Sequence, residues 1–308
     1  MWDGFLNVKK PQGITSFDAV RIISGEIREG QSLAKRLKIG HAGTLDPLAD
    51  GVLVMAIGRA SRLISYVQKQ RKTYVSTFLL GLSSPSEDTE TEMTSVENAP
   101  QPTLAEIQAV LPEFLGEILQ KPPIFSALKV NGRKAYDLAR QGKEVELKAR
   151  PIRIDSLEIL EYAYPTLRLK IVCGSGTYVR SLGRDLARKL GTEAVMAALT
   201  RTAIGCFRIE DALEIRLRDD PRPLNRPRCT DFLRPFLDAV PDLPRIAYGE
   251  KDLWKLKNGI AVTHPDAENL LPAEEAVVVD GSGKFFGIVK KFPDEKLRSL
   301  LNFAHEID

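Results

Sequence analysis

The chain has 308 residues, 43% of them hydrophobic and 28% charged, with 44 Lys and Arg against 41 Asp and Glu. At ~150 residues per domain the length predicts about two domains, and this much apolar content excludes an intrinsically disordered chain. No uncharged apolar run approaches the ~20 residues of a membrane helix, and the N-terminal MWDGFLNVKKPQG lacks the apolar stretch of a secretory signal. Cys173, Cys206 and Cys229 have the spacing of neither a zinc knuckle nor a disulfide framework. A soluble protein of a reduced, cytoplasmic compartment is therefore expected.

In chain order, residues 73–81 (TYVSTFLLG) are rich in β-branched and aromatic side chains and end in Gly, which predicts a strand. Residues 103–115 predict a helix: Thr103 and Glu106 make a capping-box pair, and Leu104, Ile107, Val110, Leu111 and Phe114 recur at helical spacing. Leu167, Leu169, Ile171 and Cys173 alternate with mostly polar residues, as in a half-buried strand. Gly174-Ser175-Gly176 ends it, and a helix is expected from 177 or 178 to about 190. Residues 216–244 are dense in Pro and Arg, and prolines at this density continue neither helix nor central strand, so a domain junction falls there. Residues 276–289 (AVVVDGSGKFFGIV) predict a β-hairpin with Asp-Gly-Ser-Gly at its turn. The expected organisation is a domain over 1–240 and a small β-rich module over 241–308.

The charge is unevenly spread. Residues 81–120 carry eight acids and no Lys or Arg; residues 121–153 carry nine bases and three acids, a net of +6. Such a block can neutralise phosphates, although a solvated face has the same composition.

Several chemistries lack their motifs. There is no Walker A loop, and Gly174-Ser175-Gly176 is followed by Val179 where a dinucleotide fingerprint needs Gly. Ser32-x-x-Lys35 and Ser126-x-x-Lys129 have none of the companions of a serine–lysine hydrolase. His41, His264 and His305 are the only histidines and form no H-x-x-x-H pair, so zinc catalysis is not expected.

The informative stretch is 40–51, GHAGTLDPLADG, lying between a basic and an apolar segment. Its glycines permit positive φ and close approach of a ligand. Pro47 biases Asp46 toward an extended or turn conformation. A lone carboxylate held on such a loop suits a nucleophile or general base; an Asp-Pro turn leading into a helix fits equally well. Asp50, directly before Gly51, reads more simply as a turn residue.

GHAGTLDPLADGVL resembles the active-site motif of the TruB family of tRNA pseudouridine synthases. Other stretches agree in order: 10–16 (KPQGITS), 71–74 (RKTY), 81–88 (GLSSPSED), 123–140 (PIFSALKVNGRKAYDLAR), 176–182 (GTYVRSL) and 199–205 (LTRTAIG). The resemblance covers roughly residues 5–210. More weakly, LKNGIAV at 256–262 and the hairpin resemble the small PUA RNA-binding domain that follows in this family.

This resemblance implies an α/β fold: a pseudouridine synthase core with a mixed, largely antiparallel sheet flanked by helices, then a PUA-like module. It implies isomerisation of uridine to pseudouridine in the T loop of tRNA, at position 55, with no cofactor or metal. Asp46 matches the catalytic aspartate, Arg180 the arginine that pairs with it, and Asp88 a second carboxylate near that arginine. Tyr74 matches a tyrosine that stacks on the flipped base, while Tyr178 and Leu199 match pocket residues. His41 matches a histidine that stacks into the RNA as the base leaves. Read alone, Arg180 is a helix-surface residue, Leu199 a helix leucine and Tyr74 a core aromatic. Lys10, Lys129 and Arg140 are expected at the RNA, and segment 121–153 is expected to grip the T arm, mobile without RNA and ordered with it. The module at 241–308, with twelve acids against nine bases, is expected to add a supporting contact. A monomer without a membrane or obligate protein partner is expected. Two alternatives remain: an RNA chaperone of the tRNA elbow on the same fold, and the catalytic subunit of a guide-RNA complex. The short extensions at both ends favour stand-alone action over the second.

Overall fold

The computed structural model describes residues 2–29, 37–126, 128–130, 133–134, 147–215, 217 and 229–303. Arg140, with residues 127, 131–132 and 135–146 of the segment expected to order on RNA, and residues 216 and 218–228 of the Pro- and Arg-rich stretch lie outside these residues.

The chain opens with β1 (Gly4–Lys10), α1 (Ser16–Glu29), β2 (Ile39–His41) and β3 (Asp50–Ile57). After α2 (Ile64–Lys69) come β4 (Lys72–Leu80) and the short pair β5 (Leu82–Ser83) and β6 (Thr94–Ser95). Next are α3 (Leu104–Val110), β7 (Gly116–Gln120) and a second short pair, β8 (Lys129–Val130) and β9 (Arg133–Lys134). The long hairpin β10 (Arg150–Ala163) and β11 (Thr166–Cys173) leads to α4 (Val179–Lys189) and β12 (Ala194–Ile204). Three short strands follow: β13 (Phe207–Arg208), β14 (Leu213–Glu214) and β15 (Leu233–Arg234). The C-terminal part is β16 (Arg245–Ala247), α5 (Glu250–Lys257), β17 (Glu275–Val279), β18 (Phe285–Lys291) and β19 (Leu297–Asn302).

Among the described residues, eleven strands form one sheet in the order β14-β1-β3-β12-β4-β11-β10-β7, with β13 on β12, β15 on β1 and β2 on β3. Only β1–β14 and β3–β12 run parallel. The expected mixed, largely antiparallel sheet is therefore present. The last four strands form a separate sheet, β16-β17-β18-β19.

Lys72, Tyr74, Ser76, Phe78 and Leu80 of β4 all bury one face. That face receives α4 and α3, packing Leu182, Leu186 and Ile107 against Phe78, Leu169 and Met196. β1 and β3 are buried on both faces. One face packs α1 through Ala19, Ile23 and Ile27. The other joins Val54, Leu63 and Phe207 to Val277, Phe285 and Phe303 of the C-terminal strands, so the two sheets share one apolar cluster. Tyr66 Oη donates to Glu275 across this junction at 2.7 Å.

Two expectations change. Leu199 lies in β12, because β12 pairs with β4 along its whole length and this pairing overrides the helical propensity of AVMAAL. The helix expected to reach 115 ends at Val110 and continues as a 3-10 turn over Leu111–Phe114, where Pro112 supplies no N–H. No helix among the described residues is long and apolar enough to cross a membrane.

Candidate active site

The loop between β2 and β3 carries Asp46, and the 10–16 stretch fixes it from below. Ser16 Oγ accepts from Leu45 N at 2.8 Å and donates to Leu45 O at 3.0 Å. Gly13 N donates to Pro47 O, and Ala42 N to Val54 O, both at 2.8 Å. From the other side Leu48 N donates to Glu90 Oε1 at 3.1 Å. Lys10 is fully buried and gives its Nζ to Pro11 O and Ile14 O, both at 2.8 Å. Burial pushes this amine down to about 8, against the pull of Asp50 and Asp46. Lys10, expected at the RNA, thus lies beneath the loop with no surface to offer a phosphate. Asp50 begins β3, and its Oδ1 is buried without a hydrogen-bond partner.

Arg180 enters from the first turn of α4. Tyr178 caps that helix, and its backbone N–H and C=O are both held by the Gln120 side chain, at 2.9 and 3.0 Å. Arg180 is only 7% exposed, contrary to the surface position its local sequence suggests. Its Nη2 stands 2.9 Å from Asp46 Oδ2, and its Nη1 stands 3.3 Å from Asp88 Oδ2. The same two nitrogens donate to Phe125 O at 3.1 Å and Ser86 O at 2.8 Å. One guanidinium therefore joins the Asp46 loop, the Asp88 loop and the 121–126 segment. Asp88 is closed off; its Oδ1 accepts from Ser86 Oγ at 2.5 Å and Glu90 N at 3.0 Å. The Asp46 side chain is 39% exposed. Of the two carboxylates on this cation, only Asp46 is open to a substrate.

A second arginine braces the arrangement. Arg184, one turn on, pairs with Glu87 and donates to Lys121 O at 2.9 Å, while Ser181 Oγ donates to Glu87 Oε2 at 2.7 Å. Glu87 has φ of 63°, a left-handed turn at a non-glycine residue beside Asp88. Burial pushes the Glu87 carboxyl upward, against Arg184.

Tyr74 lies on β4 between Ile171 of β11 and Arg201 of β12. Burial pushes its phenol upward, so it stays protonated. Half-buried Leu199 and Leu48 pack on the cluster that contains Tyr74. Tyr178 is half-buried, and Arg150 Cζ lies 5.1 Å from its ring centroid. His41 is on β2 opposite Met55. Burial holds its imidazole below the ordinary value, and its Nδ1 has no partner. The structure thus joins Asp46, Arg180 and Asp88 by direct contact and sets Tyr74 and Leu199 in the adjoining core. Lys129 pairs with Lys134 in the β8–β9 hairpin.

The sequence reading missed Arg201, Glu90, Gln120 and Ser16, all of which hold the site through backbone groups. Arg201 lies within the quoted LTRTAIG stretch and Ser16 within KPQGITS, so these motifs were the available signal; Glu90 and Gln120 carry none. Among the described residues no group of three or more His, Cys, Asp or Glu could hold a metal ion.

Residues 31–179 match the family model described as TruB family pseudouridylate synthase (N terminal domain). The tRNA pseudouridine synthase B of Rhodopirellula baltica is 38% identical over 276 residues, 89% of this chain and 79% of that protein. The same-named protein of Dehalococcoides mccartyi is 38% identical over 292 residues, 95% of this chain and 93% of that one. That of Clostridium tetani is 36% identical over 289 residues, 94% and 96% of the two chains. Among solved structures, an H/ACA RNP bound to a substrate RNA containing 2′-deoxyuridine has a chain similar to this one. The TM-score is 0.70 at 20% identity, covering 98% of this chain and 85% of that one. A Cbf5-Nop10-Gar1 complex gives 0.70 at 21% identity, covering 98% and 84%. The class is that of the pseudouridine synthases, isomerases built on this mixed sheet. Within that class the chain belongs to the TruB family, as its 36–38% identity over 89–95% of its length shows.

Proposed function

We propose that the protein isomerises uridine to pseudouridine at position 55 in the T loop of tRNA, without a guide RNA, and that Asp46 is its catalytic carboxylate. The observation that carries this reading is the Asp46–Arg180 contact at 2.9 Å, with the arginine buried and the carboxylate open. In the reaction the N1–C1′ bond breaks, the uracil turns, C5 bonds to C1′, and the proton displaced from C5 is balanced by one gained at N1. Asp46 can attack as a nucleophile or take a proton as a base. Neither role needs a redox partner.

The target uridine leaves its stack at a cost of a few kcal/mol. His41, neutral at pH 7 because it is half-buried, fills the gap with an uncharged ring. Tyr74, Tyr178 and Leu199 wall the base pocket. The T arm and elbow are recognised by shape and phosphates, with 121–153, including Lys129 and Arg140, as the gripping segment. A catalytic domain over 1–240 does the chemistry, and 241–308, with an excess of acids, supports the RNA from the side. The enzyme works in the cytoplasm as a monomer without an obligate protein partner.

The test is pseudouridine mapping by carbodiimide-dependent primer extension on an unmodified tRNA transcript, without guide RNA and with EDTA present. The expected result is one stop at the T-loop uridine, absent with Asp46→Asn. A stop elsewhere, or one that survives D46N, contradicts the reading.

A further inference from the structure

Arg201 is among the largest fully buried side chains of the molecule, and the reaction outlined above gives it no task. Its place on β12 sets it between two parts of the site. On one side it pairs with Tyr74 of β4, on the other with Gly51 of β3. The second fit is tight: a Cβ on Gly51, whose φ is +101°, would stand 2.2 Å from the Arg201 carbonyl oxygen.

The side chain runs under the catalytic loop. Its Nε donates to Val52 O at 2.7 Å, its Nη2 to Gly43 O at 3.1 Å, and its Nη1 to Thr44 O at 3.4 Å. Those carbonyls flank Asp46 on both sides. A guanidinium carries five N–H donors in a rigid fork, so three on the loop leave two more. The charge is also felt around the loop, where it disfavours the protonated forms of Lys10, His41 and Lys72.

We infer that Arg201 is a positioning residue for the isomerisation: it clamps both ends of the Asp46 loop through the Gly43, Thr44 and Val52 carbonyls and so fixes where the Asp46 carboxylate stands. This rests on the functional reading above.

The test compares Arg201→Lys with wild type by single-turnover rate on the tRNA transcript, tRNA affinity and thermal melting. An ammonium is compact and cannot span the three carbonyls. The expected result is a rate about 100-fold lower, with tRNA affinity within about threefold of wild type. A merely structural role would lower affinity and melting temperature together with the rate. That pattern, or an R201K rate within about threefold of wild type, overturns the inference. If R201K does not fold, Gly43→Ala decides. At φ of +125° an added Cβ is strained and shifts an acceptor carbonyl while the arginine stays. It is expected to slow turnover about tenfold with binding kept; an unchanged rate overturns the inference. Wild-type protein that leaves the T-loop uridine unmodified refutes the functional reading itself, a failure visible before any variant is compared.

Discussion

Arg180 sets the electrostatics of the site, because two carboxylates and two carbonyls converge on it. Arg180→Ala leaves Asp88, 1% exposed, buried without its cation. Breaking a buried pair in this way costs about 3–5 kcal/mol, which urea denaturation reads directly. The same variant is expected to lose about 10²–10³ in single-turnover rate, the loss typical when one preorganised electrostatic group is removed. His41 gives a pH signature. Its folded-state value is depressed below 6.5, so as pH falls below 6.5 the unfolded chain takes up a proton that the folded chain resists. Stability therefore drops with falling pH in that window, and His41→Gln is expected to flatten this part of the curve of melting temperature against pH. An identical slope in both proteins would contradict the neutral, buried imidazole. Asp46 stood out in the sequence because an Asp-Pro step in a Gly-rich loop is locally unusual. Arg180 stood out only through the family resemblance, and Arg184 not at all, since the segments that bury them, 84–90 and 121–126, are remote in sequence.

At the scale of elements, the register of α4 on β4 decides where Arg180 stands. Gly183 is the point of closest approach: a Cβ there would meet Phe78 Cε1 at 2.2 Å. Gly183→Ala is therefore expected to cost about 1–3 kcal/mol by overpacking and to slow turnover by lifting the helix that carries Arg180. Wild-type stability in G183A would contradict this packing. β4 and β11 were legible because alternation of apolar and polar residues survives in a half-buried strand. β12 was not. Its Ala-Val-Met-Ala-Ala-Leu start has helical composition, its bulges against β4 break the alternation, and its pairing with β4 depends on residues more than 100 positions away. The 3-10 turn after α3 follows from Pro112, a local signal outweighed by the hydrophobic spacing around it.

At the scale of the whole molecule, the Pro- and Arg-rich stretch marked a change of domain, yet the apolar core does not divide there. Phe303 packs 5.0 Å from Phe236 and 5.2 Å from Phe285, ring centre to ring centre, while Arg62 Cζ lies 4.8 Å from its ring. Phe236 belongs to the connecting segment, and the same cluster reaches Val54 and Phe207 of the main sheet. The C-terminal module is thus expected to unfold with the rest in one transition. Trp2 and Trp254, one in each part, allow this to be read by fluorescence in Trp2→Phe and Trp254→Phe proteins. Coincident transitions are expected, and Phe303→Ala is expected to lower both midpoints together at a cost of about 3–5 kcal/mol. Separate transitions would show that the modules are independent.

The central claim is that an open Asp46, held by Arg180, carries out the isomerisation unaided. The most direct measurement is release of tritium from tRNA transcribed with [5-³H]uridine, because the C5 hydrogen leaves when C5 bonds to C1′. Purified wild-type protein, without guide RNA or partner, is predicted to release one tritium per tRNA, and Asp46→Asn none, although both bind the tRNA alike. Equal release by D46N, or no release by wild-type protein that binds the tRNA, would contradict the account.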